Sequence, residues 1–81
     1  MTSLLAPAPP ALRGYRFHAV AAHRWRVLDR RGRIIGHLRS EERTEGVRYH
    51  AERFELARAR MRQLGAFWTV REAVECLNYL R

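Results

Sequence analysis

Lysine is absent from this chain, cysteine occurs once and proline stops at position 10. Each shortage excludes something. The lone Cys76 rules out an intrachain disulfide framework and a cysteine-built zinc site, and fits a reducing compartment. No apolar run approaches the roughly 18 residues of a membrane span, and Met1-Thr2-Ser3-Leu4-Leu5 lacks the basic region and long apolar stretch of a signal peptide. A soluble, cytoplasmic protein is expected, with no membrane partner. Also missing are a serine or cysteine paired with a base, a glycine-rich phosphate loop, and a carboxylate pair in an apolar setting; 81 residues leave little room for a deep cleft. Neither enzymatic activity nor a cofactor is expected. His18, His37 and His50 could approach one another on a sheet, yet no acid or cysteine stands at ligand spacing beside them, so no metal site is expected.

Acids are also scarce in one half. Residues 13–40 hold eight arginines (Arg13, Arg16, Arg24, Arg26, Arg30, Arg31, Arg33 and Arg39) against Asp29 alone, a balance of +7. Residues 41–81 hold eight arginines against seven glutamates, a balance of +1, so the formal charge of +8 is mostly in the first half. Arginine without lysine, in an alanine-rich chain, fits a GC-rich coding bias. Such a bias lifts arginine everywhere and does not explain why acids avoid one stretch. Charge segregation of this kind points to a polyanionic partner.

What is present begins with a Pro/Ala-rich stretch, residues 1–13, expected to be a disordered leader to a single domain over 14–81. From Tyr15 the pattern has period two. Tyr15, Phe17 and Ala19 alternate with Arg16 and His18; Trp25 and Val27 alternate with Arg24 and Arg26. Asp29-Arg30-Arg31-Gly32 reads as a hairpin turn, with Gly32 able to take the left-handed conformation of a bulged loop. Its partner strand, 33–39, puts Ile34, Gly36 and Leu38 on one face and Arg33, Ile35, His37 and Arg39 on the other. Gly36 reads as a bulge or a point of close helix packing. Ser40 to Gly46 reads as an acidic loop, and 47–52 as a further strand. Residues 53–64 fit either a strand or a short helix ended by Gly65, and composition leans to helix. Thr69 and Glu72 then have capping-box spacing, and Val70, Ala73, Val74, Leu77 and Leu80 form one apolar stripe of a helix over 70–81.

The expected fold is α+β: a small antiparallel three- or four-stranded sheet with the C-terminal helix packed on one face. Tyr15, Phe17, Trp25, Val27, Ile34, Leu38, Val47 and Tyr49 would meet the helix stripe. Trp25, Phe67 and Trp68 are read as core in preference to base-stacking platforms, and Cys76 as a partly buried, inert thiol. The opposite face would display arginine, whose planar fork suits phosphate and guanine edges. The candidate nucleic-acid-binding residues are Arg16, Arg24, Arg26, Arg30, Arg31, Arg33, His37, Arg39 and Arg48, with Arg30-Arg31 at the hairpin tip for phosphates. DNA is the expected partner ahead of RNA. The rival reading is an adaptor that docks an acidic protein, since the solvent face of any such sheet must be polar.

Two resemblances add to this. Leu64-Gly65-x-Phe67-x-Thr69-x-x-Glu72-Ala73-x-x-x-Leu77 after several strands resembles the sheet-plus-helix module of ethylene-response DNA-binding domains and of the arm-binding domains of tyrosine recombinases. That likeness implies a helix bracing a DNA-reading sheet. Trp25-Arg26-Val27, Gly32, Ile35-Gly36, Tyr49-x-Ala51, Leu64-Gly65-x-Phe67-Trp68 and Glu72-Ala73-Val74 are similar to small basic actinobacterial proteins loosely labelled as DNA mismatch repair proteins. That label implies a DNA-related role, and neither family donates a catalytic residue.

Overall fold

Alternating apolar and charged residues let a strand bury one row of side chains and solvate the other, as Arg24–Leu28 does by burying Trp25 and Val27, and five segments of this chain are strands. The computed structural model describes residues 9–80. The strands are β1 (Arg16–Ala21), β2 (Arg24–Leu28), β3 (Ile34–Arg43), β4 (Gly46–Glu55) and β5 (Arg60–Phe67), followed by helix α1 (Val70–Tyr79). They pair in chain order as one antiparallel meander, and α1 lies across β3, β4 and β5. The α+β class and the C-terminal helix agree with expectation; the sheet has five strands, not three or four. None of the described helices is long and apolar enough to cross a membrane.

Two segments depart from the sequence reading. Ser40–Gly46 is not a loop: β3 runs to Arg43, β4 starts at Gly46, and only Thr44-Glu45 turns. One of its acids, Glu41, is held on the strand by a hydrogen bond with His50 across the ladder (2.8 Å). Residues 53–64 are not a helix. β4 continues to Glu55, Leu56–Arg58 make one 3-10 turn, and Ala59 at φ +50° donates its N–H to Leu56 O (3.1 Å) before β5 begins. A ladder with β4, running from Glu55–Arg60 to Tyr49–Phe67 with one bulge, outweighs the helix propensity of the Ala/Arg/Met/Gln composition. The disordered-leader expectation falls, for residues 1–8, outside the described residues. Within 9–13, Pro10 is buried and Leu12 packs on the core.

The core joins Val27, Ile35, Leu38 and Ala51 of the sheet to Ala73, Val74 and Leu77 of α1. Full burial of residues such as Leu38 and Leu77 is worth about 1.5–3 kcal/mol each. Ile35 replaces the expected Ile34. The β2–β3 register pairs Val27 with Gly36 but Leu28 with Ile34, so Ile35 is the extra residue of a bulge. The bulge turns Ile35 inward at 4% exposure and leaves Ile34 at 57% on the other face. Gly36 follows, paired with Val27: the extra residue of the bulge is its neighbour Ile35, and the close-packing reading is the one that holds, since a Cβ there would meet Leu77 Cδ2 at 2.5 Å. Tyr15, Phe17, Tyr49, Leu64, Phe67 and Val70 ring the core, and Trp25 is buried, as expected. Trp68 is not core; it is 49% exposed.

The helix is fastened at both ends. Thr69 Oγ1 accepts from Glu72 N (3.1 Å), as the capping box predicts, and the hydroxyl also donates to Glu72 Oε1 (2.9 Å). No basic residue sits in the last turn of α1. Arg53 of β4 supplies the cation instead, donating to Leu77 O (2.8 Å), to Leu80 O, and at 3.5 Å to Ile35 O. Tyr15 Oη accepts from Asn78 Nδ2 (2.7 Å), tying α1 to the segment before β1. Half-buried Cys76 has its thiol pKa raised by burial, against an opposing effect of Arg53, and so stays protonated and inert.

Candidate nucleic-acid interface

Because α1 covers one side of the sheet, the register decides what the other side presents. His18, Arg26, His37, Glu52 and Gln63 form one cross-strand row on this open face. Arg24, Arg39, His50 and Ala66 form the next. Beyond it Glu41 stands opposite Arg48. On the other side of the His37 row lie Arg16, Leu28 and Ile34, with Phe54 and Met61 as a paired couple. Successive rows are about 6.8 Å apart, two residues of strand rise. Arg16, Arg24, Arg26, His37, Arg39 and Arg48 thus share the open face, while Arg30, Arg31 and Arg33 lie at or beside its β2–β3 tip.

The face is a set of unequal arginines rather than a uniform sheet of charge. Glu52 is 4% exposed at its centre. Arg24 Nε and Nη2 donate to its two carboxylate oxygens at 2.8 and 3.2 Å, and Arg39 Nε donates at 3.1 Å. Burial pushes the Glu52 pKa up, but the bonds from Arg24 and then Arg39 pull it down further, so the carboxyl ends below the ordinary glutamate range. Arg24 and Arg39 therefore belong to a three-membered cluster of net charge +1. Arg26, beside it, is exposed, and neither Arg26 nor Arg16 has an acid partner among the described residues.

His37 adds no charge here. His37 has its pKa lowered, first by burial and then by Arg26, with Glu52 opposing and Arg24 adding to the effect. Its imidazole is neutral near pH 7, and its Nδ1 is buried without a partner. His50, 5% exposed, lies between Glu41 Oε1 (2.8 Å from Nε2) and Gln63 Nε2 (3.0 Å from Nδ1). Nδ1 accepting from the Gln63 amide leaves the ring proton on Nε2, where it bonds Glu41. Hydrogen bonds from His50 and then Arg43 hold the Glu41 carboxyl below its usual range. Among the described residues no cluster suits a metal ion.

The hairpin tip is rigid for a local reason. Asp29 Oδ1 accepts from Arg31 N and Arg33 N at 2.9 Å each, Gly32 N donates to Asp29 O at 2.9 Å, and Gly32 takes φ +78°. This is the Asp-first, glycine-closed turn read from the sequence. The backbone bonds, led by that of Arg33, lower the Asp29 pKa. With Asp29 committed to the turn, Arg30 and Arg31 stand exposed without an acid partner among the described residues, and Arg33 Nε reaches only to 3.4 Å from Asp29 Oδ2.

Sequence reasoning overlooked Glu52, Glu41 and Gln63 as parts of this face. The signal for Glu52 was its alternation with Arg48 and His50, but only the register shows which arginines it engages. It also assigned Trp68 to the core, whereas the ring lies under Arg48, 4.4 Å from the guanidinium carbon to its centroid. Compared with known proteins, the chain matches no family model, no curated protein and no solved structure.

Proposed function

We propose that the protein is a non-enzymatic nucleic-acid-binding module, with DNA ahead of RNA, that engages phosphates through the open face of its sheet and the β2–β3 tip. The observation that carries this reading is the set of exposed arginines without acid partners, Arg16, Arg26, Arg30 and Arg31, along one open side of the domain. Arg24 and Arg39 stiffen the middle of that side through Glu52 and add a net charge of one. The likeness to DNA-repair-labelled and sheet-plus-helix DNA-binding families points the same way. Location at the nucleoid would follow from such a role.

Fluorescence anisotropy with duplex and single-stranded DNA across a salt series tests the reading. Four phosphate contacts give a slope of roughly −3 to −4 in log affinity against log salt. Arg16→Glu/Arg26→Glu should abolish most binding, while Arg58→Glu/Arg60→Glu, an equal charge change on and before β5, should leave most of it. Equal losses in both variants would mean diffuse charge without a site. A second reading rests on the apolar end of the same face, where Ile34 and Phe54 are 57% and 48% exposed. Apolar surface beside arginines suits an adaptor for an acidic protein, and absence of nucleic-acid affinity near physiological salt would favour it.

A further inference from the structure

The open face ends, towards the β3–β4 hairpin, in an aromatic ring that the core does not use. Tyr49 pairs with Phe67 and His50 with Ala66, so Arg48 and Trp68, one step further, leave the sheet together on the open side. Phe67 packs on the core, whereas Trp68 is half exposed. The Arg48 guanidinium lies over the indole, yet its Nε is shut off from solvent with no acceptor, and no carboxylate pairs with Arg48 among the described residues. Gly46 borders the ring, a Cβ there lying 3.9 Å from Trp68 Cζ3 at ordinary contact distance.

An exposed indole beside a cation on an open sheet can stack a base, because every base has a π face and the cation can take the adjoining phosphate. Bases inside a duplex have those faces occupied by their neighbours. We propose that Trp68 and Arg48 form a base-stacking subsite, and that the ligand of the open face is a single-stranded nucleic acid. This rests on the nucleic-acid reading above and narrows it. Arg48 turning from the ring to a phosphate gives Nε the acceptor it lacks and bares the indole for a base. Arg26, two rows along, continues the backbone track.

The test compares an oligothymidylate of about 12 nucleotides, within the usual span of one small binding domain, with an abasic oligomer of equal length and charge. The wild-type chain should bind the base-bearing oligomer about 5- to 150-fold more tightly, the range for one stacked base, with quenching of tryptophan emission. Trp68→Ala should erase the difference and Trp68→Phe retain part of it. Equal wild-type affinity for the two oligomers overturns the subsite while leaving phosphate binding intact. No salt-sensitive binding of either overturns both readings. The wild-type comparison decides even if a Trp68 variant folds poorly. An oligouridylate arm separates the two sugars: base-dependent binding of either supports the subsite, and the tighter one names the natural strand.

Discussion

Replacing Gly36 with alanine would place a methyl carbon 2.5 Å from Leu77 Cδ2, 3.1 Å from Leu77 Cδ1 and 2.9 Å from the Glu52 carbonyl oxygen. Carbon atoms pack at about 3.5–4.0 Å, so α1 would have to lift by about 1 Å, or Leu77 would have to leave its rotamer. The carbonyl cannot give way cheaply, because Glu52 is held in the ladders with both β3 and β5. Gly36 also sits at φ +155°, which side chains rarely adopt. Overpacking of this kind costs about 1–3 kcal/mol. At a middle value of about 2 kcal/mol, a domain of this size loses about 8–16 °C of melting temperature. Thermal melting followed by circular dichroism measures it, and a double-mutant cycle locates it. Leu77→Ala alone should cost about 2–5 kcal/mol, and adding Gly36→Ala to that background should cost less than in the wild type, since the shortened side chain removes the Leu77 clash and leaves only the carbonyl contact and the φ strain. Wild-type melting of Gly36→Ala, or the same penalty with and without Leu77, would refute the argument that the helix seats on this glycine.

Acid should unfold the protein through its open face. The depressed pKa of Glu52 means that the unfolded chain binds the proton first, so its stabilisation is present at neutral pH and disappears as pH falls through the folded value, below about 4.3. His37, also depressed, adds to the loss from about pH 6.5 downward. Glu52→Gln should flatten the lower part of that limb in a pH series of denaturation curves and cost about 1–2 kcal/mol at pH 7, the partly exposed Arg24 and Arg39 being able to rehydrate. Unchanged acid sensitivity in this variant would remove Glu52 from the account. Arg53→Met keeps the aliphatic stem and deletes the donors to Leu77 O, Leu80 O and Ile35 O; it should cost about 1–3 kcal/mol and speed hydrogen exchange at the end of α1 before it affects β2.

What could be read from the chain was what a few neighbouring residues decide. The Asp29–Gly32 turn and the Thr69–Glu72 cap are closed by bonds spanning four residues or fewer, and they appear as read, as does the period-two alternation of β2. Ile34 and Ile35 are chemically alike, so no local preference could say which one the bulge turns inward; the fit of Leu77 against Gly36 does that from across the domain. β5 was hidden for a related reason. Its residues favour a helix when taken alone, and the ladder with β4 that overrides them is a non-local gain. The arginines of the candidate site were visible, but their inequality was not: Arg24 and Arg26 look equivalent in sequence, and only strand register gives Arg24 a carboxylate.

The bulges have a consequence for the sheet's borders. Val20 is the extra residue of β1, between the pairs Ala19–Trp25 and Ala21–Arg24, and Leu64 is the extra residue of β5, between Ala51–Gly65 and Glu52–Gln63. Both outermost strands are therefore broken part-way along. An uninterrupted outer row of amide and carbonyl groups is a template on which strands of other molecules can add, and a misplaced residue spoils its spacing. Each irregularity thus works against strand addition at its edge, as do the exposed Arg60 and Arg62 on the β5 side.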